Sequence, residues 1–238
     1  MTVLGIIGSG AIGTAIARLA VAAGIDVVLS NSRGPESLRE LVAELGDGAS
    51  ATTPAEAAVS GDFVLVSVPL TAVDDLPVEA LAGKTVLDTT NYYPFRDGRV
   101  SALDDEEVTE GEYVQARLGT ARVVKAFSSI LAHHIPQLAR PAGAPERTAL
   151  PIAGDDPAAK EQAAALIEQI GFDVVDAGPL SEASRFEPES TAYTHLYLAD
   201  PDTPGERMLE APAGPVPAAE LSAALAAVHR VRVADREF

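Results

Sequence analysis

The sequence predicts an α/β protein built on a doubly wound parallel sheet. Short apolar runs alternate along the chain with segments of helical periodicity, as expected of repeated strand–helix units. The run 63–68 is apolar at successive positions, which is typical of a strand covered on both faces. A G-x-G-x-x-G sequence, from Gly8 to Gly13, lies between the first predicted strand and the first predicted helix.

The predicted strands and helices follow one another from the first residues onward. Strands are expected at 3–7, 25–30, 48–51, 63–68, 85–88, 122–127, 148–153 and 173–177. Helices are expected at 11–23, 35–45, 54–60, near 74–81, at 157–170 and at 218–228. Thr53 and Asp156 each precede a proline and are predicted to be helix N-caps. The stretches 139–147 and 200–217 are rich in Pro and Gly and are predicted to be irregular.

Each glycine of the first turn meets a geometric requirement of dinucleotide binding. Gly8 permits the tight turn, Gly10 lets the backbone approach a pyrophosphate, and Gly13 lets helix and strand pack closely. The helix behind them presents free N–H groups and the positive end of its dipole to the phosphates. The turn therefore predicts a dinucleotide site at residues Gly8, Ser9, Gly10, Ala11, Ile12 and Gly13.

The end of the second predicted strand favours NADP(H) over NAD(H). An NAD site usually has Asp or Glu about 20 residues after the glycines, where it binds the ribose 2′-hydroxyl. This chain has no carboxylate between Val27 and Pro35, and instead has Asn31, Ser32 and Arg33. Because a guanidinium can bind a phosphate with two N–H groups, Ser32 and Arg33 are predicted to bind the 2′-phosphate. The alternative is that Arg33 is a solvated loop arginine.

Composition argues against several classes of function. The 238 residues carry a formal net charge of −18, which repels nucleic acid and anionic membranes, so neither is an expected partner. The same charge repels phosphate-bearing cofactors, so an NADP site must be locally positive. The chain lacks cysteine, which fits a cytoplasmic location, as does a first strand that leaves no room for a signal peptide. No apolar run approaches the roughly 18 residues of a membrane span.

Polar groups follow other predicted strands, where a doubly wound sheet binds its ligands. The turn Ser67-Val68-Pro69 ends the run 63–68 and is expected to lie along the cofactor. Lys125 either stabilises an acceptor that gains negative charge or is a snorkelling lysine at a sheet edge. Ser128 either emerges near the nicotinamide or, like Ser129, caps the next helix.

Aromatic side chains are only 5% of the residues, so their placement is informative. Tyr92 and Tyr93 follow the predicted strand 85–88, and they either form a wall for a flat ring system or pack one inward and one outward. Tyr193 and Phe186 are further candidates for ring stacking, although core packing is the commoner role of such residues.

Three other patterns indicate neither a metal site nor a hydrolase. His133 and His134 are adjacent and cannot form an i, i+4 metal pair, so no metal site is expected. The sequence lacks a G-x-S-x-G elbow, which argues against a serine hydrolase. The acidic segments 104–107 and 110–112 are predicted to form a solvated face.

Seven segments in this order resemble a known family: 8–13, 31–33, 67–69, 88–94, 123–127, 151–156 and 176–180. The family is that of NADP-dependent oxidoreductases of the coenzyme F420 (8-hydroxy-5-deazaflavin) type. The Asn-Tyr-Tyr-Pro sequence at 91–94 is similar to the bacterial branch of the family. The matching segments span the chain from residue 1 to about residue 193.

The resemblance implies a Rossmann domain at 1–147, followed by a small C-terminal α/β portion at 148–238, with the hydride acceptor in the cleft between them. It implies that NADP(H) is bound by the first turn, by Asn31, Ser32 and Arg33, and by Ser67, Val68, Pro69, Leu70 and Ala126. Positions around Ser128 and after Leu180 would line the acceptor pocket. The candidate catalytic residues are Lys125, Ser128 and Tyr93.

The leading hypothesis is an NADP(H)-dependent oxidoreductase that transfers hydride between nicotinamide C4 and C5 of a deazaflavin. The sequence leaves open whether the protein forms a homodimer. This transfer mainly requires two rings held face to face, with reacting atoms roughly 3–3.5 Å apart. One alternative is reduction of another small acceptor, such as a flavin, quinone, ferric chelate or imine, with Tyr92, Tyr93, Lys125 or His133 as proton donor. Another is a non-catalytic NADP(H) sensor that contacts a partner through 200–217.

Overall fold

The structure is a computed structural model that describes residues 2–227 and 231–236. The described residues form an eight-stranded sheet in the order β3-β2-β1-β4-β5-β6-β7-β8. The strands are β1 Val3–Ile7, β2 Asp26–Ser30, β3 Ala49–Ala51, β4 Phe63–Val66, β5 Thr85–Asp88, β6 Arg122–Lys125, β7 Ala149–Gly154 and β8 Asp173–Gly178. Neighbouring strands are parallel, except that β7 runs antiparallel to β6. The predicted doubly wound α/β fold is therefore confirmed, and each strand begins and ends within two residues of its predicted bounds.

Helices connect the strands. They are α1 Ala11–Ala22, α2 Arg39–Leu45, α3 Pro54–Ser60, α4 Val78–Leu81, α5 Pro94–Asp97, α6 Ser101–Asp104, α7 Glu110–Leu118, α8 His134–Leu138, α9 Pro157–Gln169 and α10 Ala218–Ala227. Short 3₁₀ turns lie at Pro35–Leu38, Gly46–Gly48, Leu70–Asp75, Leu180–Arg185, Thr194–Tyr197, Gly205–Glu210 and Val233–Asp235. Among the described residues, none of the helices has the length and apolarity to span a membrane.

The sheet is buried on both faces. Along β4, Val64 and Val66 belong to one hydrophobic cluster, whereas Leu65 between them belongs to another. Successive side chains of a strand point to opposite faces, so the two clusters lie on the two sides of the sheet. This confirms the interpretation of the apolar run 63–68 as a strand covered on both faces.

Two predicted helices are each divided in the structure. The segment 35–45 consists of the 3₁₀ turn Pro35–Leu38 followed by α2. The helix predicted near 74–81 is a 3₁₀ turn and the separate helix α4, because Leu76 precedes Pro77 and is extended, with ψ 147°. The predicted N-caps are confirmed, since Thr53 accepts from the N–H of Glu56 and Asp156 from that of Ala159.

Helix α7 was not predicted, and the prediction of a solvated acidic face at 110–112 was wrong. A capping box begins this helix: the Thr109 hydroxyl accepts from the N–H of Glu112, whose carboxylate accepts from the N–H of Thr109. Glu110 is 1% exposed, and Gly111 packs against Leu180. The T-x-x-E pattern of a capping box was present in the sequence and could have identified the helix.

The C-terminal residues extend the same sheet through β7 and β8. The division into 1–147 and 148–238 stays a prediction. The irregular character of 200–217 is confirmed, because its regular structure is the 3₁₀ turn Gly205–Glu210 and an isolated bridge between Leu198 and Ala213. Val228, the predicted end of the last helix, lies outside the described residues.

Candidate functional site

A cavity of about 460 Å³ opens beside the carboxyl ends of β1, β2 and β4, which are neighbours in the sheet. Predicted cofactor residues that line it are Gly8, Ser9, Gly10, Asn31, Ser32, Arg33, Ser67, Val68 and Pro69. Ile7, Pro54, Ala72, Asp75, Leu76 and Pro77 complete the lining. The predicted cofactor residues Ala11, Ile12, Gly13, Leu70 and Ala126 lie outside this lining. The structure thus brings the three predicted loops to one cavity.

The glycines of the first turn differ in what surrounds them. Gly8 has φ +105°, and a Cβ there would lie 2.1 Å from the carbonyl oxygen of Ser67. A Cβ at Gly13 would lie 2.1 Å from the carbonyl oxygen of Gly8, so both positions require glycine for the turn to pack. A Cβ at Gly10 would meet no atom within 4 Å. Gly10 therefore faces open space in front of α1.

The N-terminus of α1 is left open toward the cavity. Gly10 is its N-cap, and no described side chain caps the helix. The Ser9 hydroxyl donates to the carbonyl oxygen of Ser30 at 3.0 Å instead of capping. The first N–H groups of a helix have no partner within it, so those of Ala11 and Ile12 remain for an anion.

The loop after β2 is ordered by Asn31. Its Oδ1 accepts from the N–H of Arg33 at 2.9 Å, and its Nδ2 donates to the hydroxyl of Ser37 at 2.9 Å. The Ser37 hydroxyl lies 2.7 Å from the carbonyl oxygen of Gly34, to which it can donate. Arg33 is exposed, and its guanidinium makes no hydrogen bond or ion pair with the described residues. The loop thus presents a free cation at the cavity.

A second cavity of about 460 Å³ shares Ser9 and Gly10 with the first. Its other lining residues are Ala11, Thr14, Ala15, Arg18, Ala132, His133 and Pro136. The Nε2 atoms of His133 and His134 lie 3.2 and 2.9 Å from the carbonyl oxygen of Ala211, in the irregular segment 200–217. Burial lowers the pKa of His134. The glycine turn therefore separates two cavities, and the histidines attach the segment 200–217 beside the second.

Polar side chains meet where β5 and β6 end. Asn91 Nδ2 donates to the carbonyl oxygen of Ser128 at 2.8 Å and to the hydroxyl of Tyr193 at 3.1 Å. The hydroxyls of Tyr93 and Tyr193 share a hydrogen bond. Asn91 Oδ1 and Ser128 Oγ are buried without a hydrogen-bond partner among the described residues. Burial raises the pKa of both tyrosines, so each retains its proton at neutral pH.

The burial of Tyr92, Tyr93 and Phe186 decides between the roles that the sequence left open for them. Tyr92 is fully buried, and its hydroxyl lies 2.8 Å from a carboxylate oxygen of Asp104, whereas Tyr93 is half-buried. Tyr92 and Tyr93 therefore pack one inward and one outward, and Tyr92 provides no wall for a ring. Phe186 is fully buried in the core, which excludes it from stacking on a ligand.

The capping alternative for Ser128 and Ser129 was wrong, because α8 begins only at His134 and has His133 as its N-cap.

The snorkelling alternative for Lys125 was also wrong. Lys125 is fully buried, and its strand β6 lies between β5 and β7 instead of at an edge. Its Nζ lies 3.1 Å from Asp88 Oδ2 and 3.6 Å from Glu110 Oε2, and it donates to the carbonyl oxygen of Thr90. Burial opposes the charged form, but the facing carboxylates outweigh it and raise the pKa of Lys125. Lys125 lines neither cavity, so the structure shows no surface through which it could contact a bound acceptor, as its predicted catalytic role would require.

Three further charged residues are buried with Lys125 and Asp88, and the sequence analysis assigned none of them to the site: Glu110, Glu187 and Arg236. Arg236 Nη1 lies 2.6 Å from Glu110 Oε1, and its Nη2 lies 3.2 Å from Glu187 Oε2. Glu110 and Arg236 are 126 residues apart in the sequence, and no local pattern predicts such a pair. The helix α7 that carries Glu110 could have been found from its capping box, but its partners could not.

Comparisons with known proteins agree with this geometry. The model of the family described as NADP oxidoreductase, coenzyme F420-dependent, matches residues 3–92. Among solved structures, the hypothetical protein SMa0349 of Sinorhizobium meliloti is 30% identical with a TM-score of 0.70, over 80% of this chain and 92% of that chain. No curated protein matches the sequence significantly.

Two other solved structures extend the comparison. A candidate F420-dependent NADP reductase from Arthrobacter sp. FB24 is 25% identical with a TM-score of 0.63, over 77% of this chain and 87% of that chain. An imine reductase of Streptomyces aurantiacus is 22% identical with a TM-score of 0.53, over 76% of this chain and 56% of that chain, and shares the fold alone. The chain belongs to the family of coenzyme F420-dependent NADP oxidoreductases.

Proposed function

We propose that the protein transfers hydride between NADP(H) and a deazaflavin coenzyme of the F420 type. The observation that carries the choice of cofactor is the cavity at the glycine turn, whose wall from the end of β2 has Ser32 and Arg33 in place of a carboxylate. The description of the matching family and that of the Arthrobacter structure support the class of acceptor.

The residues of the first cavity fit NADP(H). We place the pyrophosphate at the open N-terminus of α1, where Gly10 leaves room for it and unpaired N–H groups can donate to it. The 2′-phosphate lies at Ser32 and Arg33, because a free guanidinium can bind it with two N–H groups. Asp75, the carboxylate among the described lining residues, belongs to the 3₁₀ turn after β4 and not to the loop after β2 that carries Ser32 and Arg33.

The remaining predicted cofactor residues shape the site from behind the cavity surface. Gly13 lets α1 pack against the turn, and Ile12 is half-buried against the core. Leu70 and Ala126 are buried at the ends of β4 and β6. We propose that they support the cofactor loops and that Ser67, Val68 and Pro69, which belong to one turn, contact the cofactor directly.

We place the acceptor on the side of the second cavity, since it adjoins the first at Ser9 and Gly10. Bound there, NADPH would supply a hydride from nicotinamide C4 to C5 of the deazaflavin, and one proton would be needed at a ring nitrogen of the reduced deazaflavin. The hydroxyls of Tyr93 and Tyr193 each carry a proton. The hydrogen bond between them uses one of the two protons, so the other can be donated. We propose this pair as the proton donor, with Ser128 beside it. These three residues lie outside the lining of both cavities, so the proposal rests on their place where β5 and β6 end.

The proposal is tested by mixing the protein with NADPH deuterated at C4 and oxidised F420. We expect NADPH oxidation, with the deuterium recovered at C5 of the reduced deazaflavin. Tyr93→Phe and Tyr193→Phe should each lower the turnover rate by about 10²-fold or more, as loss of an acid catalyst does, while NADPH affinity is unchanged.

Other outcomes would identify the rival functions. Failure to reduce F420 across the pH range, with reduction of a flavin, quinone, ferric chelate or imine, would overturn the acceptor assignment. NADPH binding without oxidation by any acceptor would indicate a sensor. The cytoplasmic location and the homodimer stay predictions, which cell fractionation and sedimentation would test.

A further inference from the structure

Five charged side chains are buried together beneath the loop that follows β5. They are Asp88, Glu110, Lys125, Glu187 and Arg236, and each side chain is at most 2% exposed. Removing charges from water is costly unless they are paired and hydrogen-bonded. The contacts of this cluster show what the buried charges hold in place.

Two of the charges hold the start of the loop. Asp88 Oδ1 accepts from the N–H of Thr90 at 2.9 Å. Lys125 Nζ donates to the carbonyl oxygen of Thr90 and lies 3.1 Å from Asp88 Oδ2. Both polar groups of the Thr90 backbone are therefore bound by charged side chains.

The other charges hold the next part of the loop in the same way. Glu110 Oε1 accepts from the N–H of Tyr92 at 3.0 Å, and Arg236 Nη1 donates to the carbonyl oxygen of Tyr92 at 3.0 Å. Arg236 also joins Glu110 and Glu187 through its two terminal nitrogens. Glu187 in turn accepts from the N–H of Glu110 at 2.8 Å, which fixes the start of α7.

The segment that carries Arg236 is attached along its length. Arg99 Nη1 donates to the carbonyl oxygen of Ala234 at 2.8 Å, and the N–H of Val233 donates to Glu106 at 3.1 Å. Val233 is buried in the same hydrophobic cluster as Tyr92. Arg236 is therefore delivered to the loop by a docked segment from the far end of the described chain.

Between Thr90 and Tyr93 the loop carries the side chains that form the proposed proton donor and hold it in place. Asn91 binds Ser128 and Tyr193, and the Tyr93 hydroxyl binds that of Tyr193. Resting on the proposed function, we propose that Arg236 is a positioning residue for the acceptor: it holds Asn91 and Tyr93 in place through the backbone of Tyr92. A shift of about 1 Å in such groups can lower a rate by about 10²-fold.

The test compares Arg236→Ala with the control Arg147→Ala. Arg147 is also largely buried, but it pairs with Asp173 at the start of β8, outside the cluster. We expect Arg236→Ala to lower kcat/KM for F420 by about tenfold or more. The NADPH Kd should stay within about twofold of the wild-type value, because the first cavity shares no residue with the cluster. Added methylguanidine should restore part of the lost rate, which a merely structural defect would not show.

Arg236→Lys is the second variant, and it carries the test if Arg236→Ala does not fold. It keeps the charge but lacks the planar fork that reaches Tyr92, Glu110 and Glu187 together, so we expect a smaller loss of kcat/KM for F420 at unchanged NADPH Kd. Folded Arg236 variants with the wild-type kcat/KM would overturn the proposal. So would an equal loss in Arg147→Ala, or a parallel loss of NADPH affinity.

A separate readout distinguishes this inference from the proposed function. If the wild-type protein does not reduce F420, the proposed function fails, and backbone hydrogen exchange then measures the positioning directly. We expect the N–H groups of Thr90 and Tyr92 to exchange faster in the Arg236 variants than in Arg147→Ala. Unchanged protection of both N–H groups would contradict the role of Arg236 whatever the acceptor is.

Discussion

Replacing Gly10 with alanine is expected to weaken cofactor binding without disturbing the fold. Gly10 has φ −74° and ψ −168°, which alanine adopts without strain, and the added Cβ meets no atom within 4 Å. Loss of a glycine N-cap costs about 0.5–1 kcal/mol, and the reduced freedom of the unfolded chain offsets about 0.4–1 kcal/mol. The free energy of unfolding should therefore stay within about 0.5 kcal/mol of the wild-type value.

The methyl group instead projects into the space where we place the pyrophosphate. A hydrogen bond to a charged group contributes about 1.5–3 kcal/mol, so losing one N–H contact to a phosphate lowers affinity by about 10- to 150-fold. Calorimetric titration with NADPH measures the affinity, and urea denaturation measures the stability. If the Gly10→Ala protein bound NADPH as tightly as the wild type, the placement of the pyrophosphate would be refuted.

Gly8→Ala is the matched control with the opposite expectation. Its φ of +105° is strained for alanine, and the added Cβ would lie 2.1 Å from the carbonyl oxygen of Ser67. We expect a loss of about 2 kcal/mol or more in the free energy of unfolding. Wild-type stability of this variant would show that the turn differs from the one described.

Three further predictions concern the cofactor, the buried charges and helix α7. Arg33→Ala should raise the KM for NADPH by about tenfold or more and leave that for NADH unchanged, in steady-state kinetics; an equal rise for both would contradict the 2′-phosphate assignment. Burial and the charge of Glu110 raise the pKa of Glu187 from 4.5 to about 7. The folded state then binds the proton more tightly, so the contribution of Glu187 to the free energy of unfolding falls by about 3 kcal/mol as pH rises from about 4.5 to 7. In urea denaturation at the two pH values, the free energy of unfolding of Glu187→Gln should not show this fall. An equal fall in the wild type and the variant would contradict the assignment. Thr109→Ala removes the capping box of α7 and should cost about 1 kcal/mol in thermal denaturation, as should Thr53→Ala at α3; no change in either would contradict the capping assignment.

The strands could be predicted because each is an apolar run with turn residues after it. The run 63–68 shows both the strength and the limit of this signal. Its apolar character predicted the strand and its two covered faces, but the strand ends at Val66 because Ser67 begins the turn toward Pro69. The cofactor loops could be predicted for the same reason, since parallel strands bring their carboxyl ends to one edge.

The buried charges could not be predicted because charge alone does not report burial. Glu110 lies in an acidic stretch, and its neighbours at 105–107 are exposed as the prediction required. Its own burial depends on Lys125 and Arg236, which are brought to it only by the folded chain. Lys125 was singled out as functional, but the sequence does not reveal that it reaches the site through the backbone of Thr90.

The acceptor side was the least predictable part of the site. Tyr93 and Tyr193 were separate candidates, and their shared hydrogen bond joins positions 100 residues apart. The segment 200–217 is irregular, so no periodicity indicates that His133 and His134 bind it at Ala211. Contacts of this kind depend on tertiary structure and leave no local pattern.

The central claim is that NADP(H) binds across the glycine turn with its 2′-phosphate at Ser32 and Arg33. Calorimetric titration of the wild-type protein with NADPH and NADH tests it most directly. The free guanidinium predicts that NADPH binds about tenfold more tightly or better, through at least one charge-assisted hydrogen bond. Equal affinities for the two nucleotides, or no binding of either, would contradict the claim.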